Sequence, residues 1–215
     1  MTSINNAKIL TIATHGFEQV ELEVSRDKLR EAGAKIDVAT PGGKEIRGWD
    51  RKDWGRNASA NLKIADAKES NYNALVIPGG VLNPDKLRID EEAMKLVRAL
   101  LNSGKIVTAV CHGPWLLVQA DALRGRNATS YKSIRKDLEN AVAKWEDGEV
   151  VTDNGIITSR NPDNPPAFTK KIIEEIEEGR ATSARPRRNK PHASAFARTG
   201  RISKSARRAP RVFHQ

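Results

Sequence analysis

Short apolar runs punctuated by glycine and proline alternate along this chain with stretches whose apolar positions recur at helical spacing. Residues 8–14 (KILTIAT) predict a first buried strand. Residues 18–32 follow with Val20, Val24 and Leu29 at roughly helical spacing, and Gly33 stands where a helix C-cap belongs. Residues 35–40 (KIDVAT) predict a second strand, ended by Pro41-Gly42-Gly43, and residues 44–66 read as a short hairpin or excursion with turn signals at Gly48, Gly55 and Asn57. Residues 74–78 (ALVIP) predict another buried strand that runs into Gly79-Gly80. Residues 90–103 form a strong amphipathic pattern, with Met94, Val97, Leu100 and Leu101 on one side and Gly104 as the stop. A strand over residues 105–110 and a helix to about residue 122 come next. The last third repeats the alternation more weakly. Residues 126–131 are strand-like and 134–141 helical; 149–152 and 155–159 read as paired strands about Asp153-Asn154-Gly155, and Pro165-Pro166 opens a closing helix to residue 178. Strands alternating with helices imply a mainly parallel sheet covered on both faces. Ligands of such sheets bind beyond the carboxyl ends of the strands.

Composition sharpens this picture in two places. The formal net charge of +10 is carried entirely by residues 181–215, which hold ten Lys and Arg and no Asp or Glu, so residues 1–180 are neutral. A segment rich in Arg, Ala, Ser and Pro buries too little apolar surface to offset its ordering entropy, and it reads as a disordered tail behind a single domain over 1–180. Such a tail is either an electrostatic nucleic-acid binder, with only Phe196 and Phe213 to offer as stacking platforms besides its two histidines, or a non-native extension. The single cysteine excludes an internal disulfide framework and fits a reducing cytoplasm. The first residues lack a basic segment followed by an apolar one, so no secretory signal is expected, and no apolar run approaches the roughly 18–20 residues of a membrane span. Two of the four histidines, His192 and His214, lie in the tail; with no phosphate loop or dinucleotide fingerprint either, neither a metal nor a cofactor is expected.

The cysteine carries the chemistry. Cys111 ends the apolar run 105–110 and passes at once into His112-Gly113-Pro114 and a helical stretch. A strand that breaks sharply into a helix presents the residue at the break to a cleft. A thiol at a helix N-terminus is expected to have a lowered pKa and to act as a nucleophile; the other reading is an inert buried cysteine. Gly79-Gly80, also at the end of a strand, either lets backbone N–H groups approach a developing oxyanion or is simply a tight turn. Glu18 and Glu21, after the first strand, are either first-turn partners of a helix dipole or acids that converge on the same cleft.

In combination these segments are more specific. Ala109-Val110-Cys111-His112-Gly113-Pro114, with Leu75-Val76-Ile77-Pro78-Gly79-Gly80 and Gly16-Phe17-Glu18-Gln19-Val20-Glu21, closely resembles the PfpI family of the class I glutamine amidotransferase-like superfamily. The resemblance extends through Thr129-Ser130-Tyr131 and Ile157-Thr158-Ser159-Arg160-Asn161-Pro162-Asp163 and covers about residues 7–178. It implies a flavodoxin-like α/β three-layer sandwich with a nucleophile elbow. Cys111 matches the family nucleophile, His112 the histidine after it, and Glu21 a buried glutamate that shares a proton with the thiol. Backbone N–H groups of Gly80 and His112 are the implied oxyanion donors. The resemblance also implies a dimer or hexamer in which an acid from a neighbouring subunit completes a Cys-His-acid set. Asp85 stands at that position, where the family more often has Glu, and is otherwise a solvated loop acid. His15 replaces a usual Asp or Asn, and Trp115 a usual Gln; Trp115 either packs against the next helix or narrows the cleft mouth.

The leading functional reading is a cysteine-dependent stress-protection enzyme acting on glyoxal, methylglyoxal or glycation adducts. An intracellular cysteine peptidase is the alternative within the same chemistry. A non-catalytic redox sensor or holdase is the alternative outside it.

Overall fold

In β1 (Lys8–Ile12) the side chains of Leu10 and Ile12 enter one apolar cluster, Ile9 enters another, and all three are fully buried. β6 (Ala74–Ile77) and β7 (Ile106–Val110) repeat this division, Leu75, Ile77, Val107 and Ala109 on one side and Val76, Ile106 and Val110 on the other. Strands apolar on both faces need cover on both faces. The computed structural model describes residues 2–179 apart from 162 and 164, and supplies that cover as two helical layers.

The sheet has seven strands. Its centre is β1, β6 and β7; β2 (Lys35–Thr40) and β5 (Leu62–Lys63) extend one side, and β11 (Ile156–Ser159) and β10 (Val150–Asp153) the other, in the order β10-β11-β7-β6-β1-β2-β5. All neighbours pair parallel except β10 with β11. That pair is joined by Asn154 and Gly155 at φ +48° and +79°, the two left-handed residues a tight hairpin requires. On one face lie α1 (Gln19–Glu31) and α6 (Pro165–Glu178), which seat Leu29, Phe168, Ile172 and Ile176. On the other lie α3 (Glu91–Asn102), α4 (Pro114–Gln119) and α5 (Arg135–Asn140), with Leu96, Leu100, Leu117 and Leu138. This is the flavodoxin-like three-layer sandwich expected from the sequence. Connections leave β1 toward β2 on one side and reach β6 on the other, so a crevice opens between the carboxyl ends of β1 and β6.

The segment over 44–66 is the hairpin that the sequence offered, antiparallel β3 (Ile46–Asp50) and β4 (Asp53–Ala58), seated on Phe17 and Leu22. The structure departs from the sequence reading in three places. The return of that hairpin adds β5 to the sheet edge. The segment around Asp85 is a helix, α2 (Leu82–Leu87), not a loop; Pro84 falls in its first turn, where a missing N–H is tolerated. Residues 126–131 contribute only β8 (Asn127–Ala128), which pairs with β9 (Lys144–Trp145) outside the main sheet. No helix among the described residues is long and apolar enough to cross a membrane. The basic tail expected over 181–215 lies outside the described residues.

Candidate active site

β7 hydrogen-bonds to both neighbours until Val110, and the chain then reverses direction within Cys111, whose φ is +60°. A left-handed residue with a side chain costs about 1–2 kcal/mol, which the elbow's hydrogen bonds offset: Cys111 N–H donates to Ser159 O at 2.9 Å, Gly113 N–H to Val110 O at 2.8 Å, and Tyr131 N–H to Cys111 O at 2.9 Å. Gly113 is confined to glycine by a different constraint, since a Cβ there would lie 2.6 Å from Ile77 O. Pro114 then opens α4 at its first position. The thiol is left at the bottom of a cleft, 4% exposed.

The β6 end closes over it. Asn83 is fully buried and spans the crevice: Thr14 N–H donates to its Oδ1 at 2.7 Å, and its Nδ2 donates to Pro78 O at 2.8 Å. This fixes Gly79-Gly80. Gly79 N–H donates to Glu21 Oε2 at 2.6 Å, while the Gly80 and His112 N–H groups are directed at Cys111 and favour its thiolate. Gly80 has φ +74° and its Cα faces the Gly16 backbone, which leaves no room for a side chain.

Glu21 projects from the first turn of α1 into this floor and is buried. Its Oε1 has no partner in conventional hydrogen-bond geometry, yet carboxyl and thiol lie close enough to shift each other's ionisation. Burial pushes the Glu21 carboxyl up to about 8, against the opposing Gly79 N–H and with help from the Glu18 charge. Burial also pushes the Cys111 thiol up, followed by the Glu21 charge. The lowered thiol pKa expected from the helix N-terminus is therefore overturned here: α4 and the two N–H groups favour the thiolate, and desolvation outweighs them.

His112 lies beside the thiol, with Nδ1 3.1 Å from Cys111 Sγ. Its other nitrogen, Nε2, is 3.0 Å from Ser133 Oγ. The ring stacks on Tyr131 (centroids 5.0 Å, 27°) and meets Trp115 edge-on (5.4 Å, 63°). Burial holds its pKa below the ordinary histidine value, which favours the neutral ring. Asp85 does not reach His112 within the chain; it pairs with Arg88 at 2.8 Å on the outer side of α2. Trp115 packs rather than lining the cleft. Its Nε1 donates to Asp137 Oδ2 at 2.7 Å, and the Arg88 guanidinium sits 4.7 Å over its ring.

The cleft has a volume of about 1060 Å³. Glu18 lines it, buried at the wall, with its pKa raised by burial and Oε1 accepting from Arg51 N–H at 3.4 Å. The β3–β4 hairpin adds Trp49 and Arg51, and the far wall carries Ser133 and Arg160, the latter paired with Asp147 at 2.9 Å. Sequence reasoning singled out none of these four as a site residue. Trp49 and Arg51 enter only because the hairpin docks on the β1–α1 loop, where Trp49 N–H donates to Phe17 O at 2.7 Å. His15 takes part in that docking: its Nδ1 accepts from Arg47 N–H at 3.0 Å. Among the described residues no cluster of His, Cys, Asp and Glu is arranged to hold a metal ion. A thiol, a neutral imidazole beside it and two converging N–H groups together suit addition of sulfur to a carbonyl.

The family model for the DJ-1/PfpI family matches residues 7–175. General stress protein 18 of Bacillus subtilis is 39% identical over 172 residues, covering 79% of this chain and 98% of the relative. Protein/nucleic acid deglycase 2 of Escherichia coli is 38% identical over 168 residues, covering 77% and 95%. The crystal structure of Drosophila melanogaster DJ-1beta superposes with a TM-score of 0.72 at 26% identity, covering 83% of this chain and 97% of that one. The elbow at Cys111, the paired glycines after β6 and the buried Glu21 thus sit in a chain that belongs to the DJ-1/PfpI family.

Proposed function

We propose that this protein is a cysteine-dependent stress-protection enzyme that attacks small reactive carbonyls, such as glyoxal and methylglyoxal, or early glycation adducts. One observation carries the reading: Cys111 Sγ has His112 Nδ1 at 3.1 Å and the Gly80 and His112 N–H groups converging on it, inside a cleft. The names of the Escherichia coli deglycase and the Bacillus subtilis stress protein support it.

The ionisation pattern supports the following roles. The thiol rests protonated, so attack needs a base, and Glu21 is itself protonated below about pH 8. The neutral His112 takes the thiol proton at Nδ1 as sulfur bonds to the carbonyl carbon. The carbonyl π pair moves to oxygen, which the Gly80 and His112 N–H groups stabilise. With methylglyoxal the product is a thiohemiacetal. Transfer of a proton from C1 to C2, with the hydroxyl proton passing from the C1 oxygen to the C2 oxygen, converts it to a thioester, and water releases lactate and restores the thiol. Glu21, buried and protonated, keeps its own proton available to the thiolate.

We take the working form to be a cytoplasmic homo-oligomer assembled beside this cleft. Supporting this, Val81 (54% exposed), Leu82 (40%) and Ile89 (80%) leave the α2 surface around Asp85 apolar. Light scattering that finds a monomer at full activity overturns that part of the reading.

The deciding experiment runs wild type and Cys111→Ser on small dicarbonyls and on fluorogenic peptides. Sustained dicarbonyl consumption that Cys111→Ser abolishes is expected. Peptide cleavage without dicarbonyl turnover makes the protein a peptidase, and a single stoichiometric oxidation of Cys111 without turnover makes it a sensor.

A further inference from the structure

We propose that Asn83 is a positioning residue for the reaction: its carboxamide holds the turn over residues 78–82 so that the Gly80 N–H is in place for the developing oxyanion. The inference rests on the carbonyl chemistry proposed above. β1 and β6 pair only as far as Thr11 and Val76, and beyond them the crevice opens. Thr14 N–H and Pro78 O lie past the end of that ladder. Asn83, 0% exposed, fills the gap with a single amide: Oδ1 accepts from Thr14 N–H at 2.7 Å, and Nδ2 donates to Pro78 O at 2.8 Å. A carboxamide offers a donor and an acceptor, as a peptide unit does, so it continues the pairing where the two strands have parted.

The donor end bears on the chemistry. Pro78 has no N–H, so its carbonyl is its one backbone group for hydrogen bonding, and Asn83 holds it. That bond spans five residues and closes 78–83 into a ring. Gly79 is held inside the ring on both sides, its N–H on Glu21 Oε2 at 2.6 Å and its O on Glu18 N–H at 3.3 Å. Gly80, at φ +74°, then turns its N–H to Cys111. Two successive glycines have no side chains to hold them, so the turn takes its shape from anchors outside it. Asn83 is the anchor that ties the turn to the end of β1. An N–H group stabilises an oxyanion best when it is in place before the charge develops, and a displacement of about 1 Å can cost about 100-fold in rate. Asn83 does not line the cleft, so it acts through Gly80 and not by contact with substrate.

The test compares Asn83→Asp with Asn83→Ala. An ionised aspartate accepts from Thr14 N–H but cannot donate to Pro78 O; protonated, it does both, as asparagine does. At about pH 8 both variants should lower kcat for methylglyoxal at least about tenfold, with KM within about threefold. Divided by wild type, kcat of Asn83→Asp should climb back as the pH falls to about 5, while the ratio for Asn83→Ala stays level. The division removes the pH dependence that Cys111, Glu21 and His112 bring to all three proteins. Urea unfolding selects pH values at which the proteins are folded; should Asn83→Ala not fold, the rise in the Asn83→Asp ratio decides alone. A kcat loss below about threefold, or a loss confined to KM, overturns the positioning role. So does an Asn83→Asp protein no more active than Asn83→Ala at about pH 5. A wild-type protein that consumes no dicarbonyl overturns the functional reading and the catalytic role with it. Amide exchange then decides separately whether Asn83 holds the turn. In Asn83→Ala the Gly79 and Gly80 N–H groups should exchange at least about tenfold faster than in wild type, while those of Val107 and Ala109 in β7 stay within about threefold. Unchanged exchange at both glycines means that it does not.

Discussion

Glu21 Oε2 accepts the Gly79 N–H at 2.6 Å, which ties the first turn of α1 to the loop that closes over the thiol. The contact leaves no space between them. A Cβ added at Gly79 would lie 2.8 Å from Glu21 Oε2, 2.7 Å from Cys111 Cβ and 2.8 Å from Val110 O. Neither Cys111, held at a left-handed φ, nor the β7 backbone has freedom to yield. Gly79→Ala should therefore destabilise the fold by about 1–3 kcal/mol, as overpacking does, and slow alkylation of Cys111 at least about tenfold. Denaturant unfolding and an iodoacetamide time course measure the two effects, and a stable variant with wild-type thiol reactivity would contradict the packing described.

Glu21 also gives the fold a pH dependence of definite sign. Its carboxyl is raised from 4.5 to about 8, so between those values the folded protein holds a proton that the unfolded chain has released. Stability from this group is therefore highest below about pH 4.5, falls as pH rises to about 8, and is level above. Glu21→Gln cannot ionise and should lose this slope, gaining on wild type steadily between about pH 5 and about pH 8. Urea unfolding of both proteins across that range tests it. A constant difference would mean that Glu21 is ionised in the folded state throughout.

The thiol should respond to the same substitution. Burial and then the Glu21 charge hold the Cys111 pKa up, so removing the charge leaves only burial. The pH profile of Cys111 alkylation should move to lower pH in Glu21→Gln. A shift to higher pH would show instead that the Glu21 proton stabilises the thiolate more than its charge opposes it.

The parts of this site legible in the sequence are those that local pattern encodes. An apolar strand interrupted by Cys111-His112-Gly113-Pro114 announces a sharp turn, and Gly79-Gly80 after a buried strand announces a close backbone approach. The parts that were not legible are contacts between distant segments. Ser133 meets His112 across 21 residues through a loop with no periodicity. Asp85 looked like a loop acid because Gly79-Gly80 and Pro84 mask the short α2. The thiol pKa is not legible for a related reason: a helix N-terminus can be read from sequence, whereas the depth at which the thiol is buried depends on how β1, β6 and β7 pack together. Gly33, by contrast, was readable as the stop after α1 because its role is set by its own φ of +102°.

Trp115 offers a separation of packing from chemistry. Its Nε1–H bond to Asp137 Oδ2 at 2.7 Å joins α4 to α5, and its ring does not line the cleft. Trp115→Phe keeps an aromatic edge against His112 and leaves Asp137 without its donor. Stability should fall by about 1 kcal/mol, the usual worth of one such bond, while KM for a small dicarbonyl stays unchanged. A changed KM with unchanged stability would return Trp115 to the cleft mouth.

Val142 is a strained position away from the chemistry. It follows α5 at φ +63°, in the left-handed region where a β-branched residue is disfavoured and where helices commonly place glycine. Two backbone bonds hold it there, Val142 N–H to Glu139 O at 2.9 Å and Gly125 N–H to Val142 O at 2.7 Å. The side chain gains little in return, being 50% exposed and outside the cleft lining. Val142→Gly relieves about 1–2 kcal/mol of left-handed strain and loses part of that to the greater freedom of the unfolded chain. The expected result is a net stabilisation of about 0.5–1 kcal/mol. Val142→Ala keeps the Cβ that causes the strain, so it should change stability by less than about 0.5 kcal/mol. Urea unfolding of the two variants beside wild type separates backbone relief from loss of the isopropyl group. If Val142→Gly destabilises, the side chain makes a contact that outweighs the strain, and an exposed valine held in that conformation would then have to be covered by another molecule.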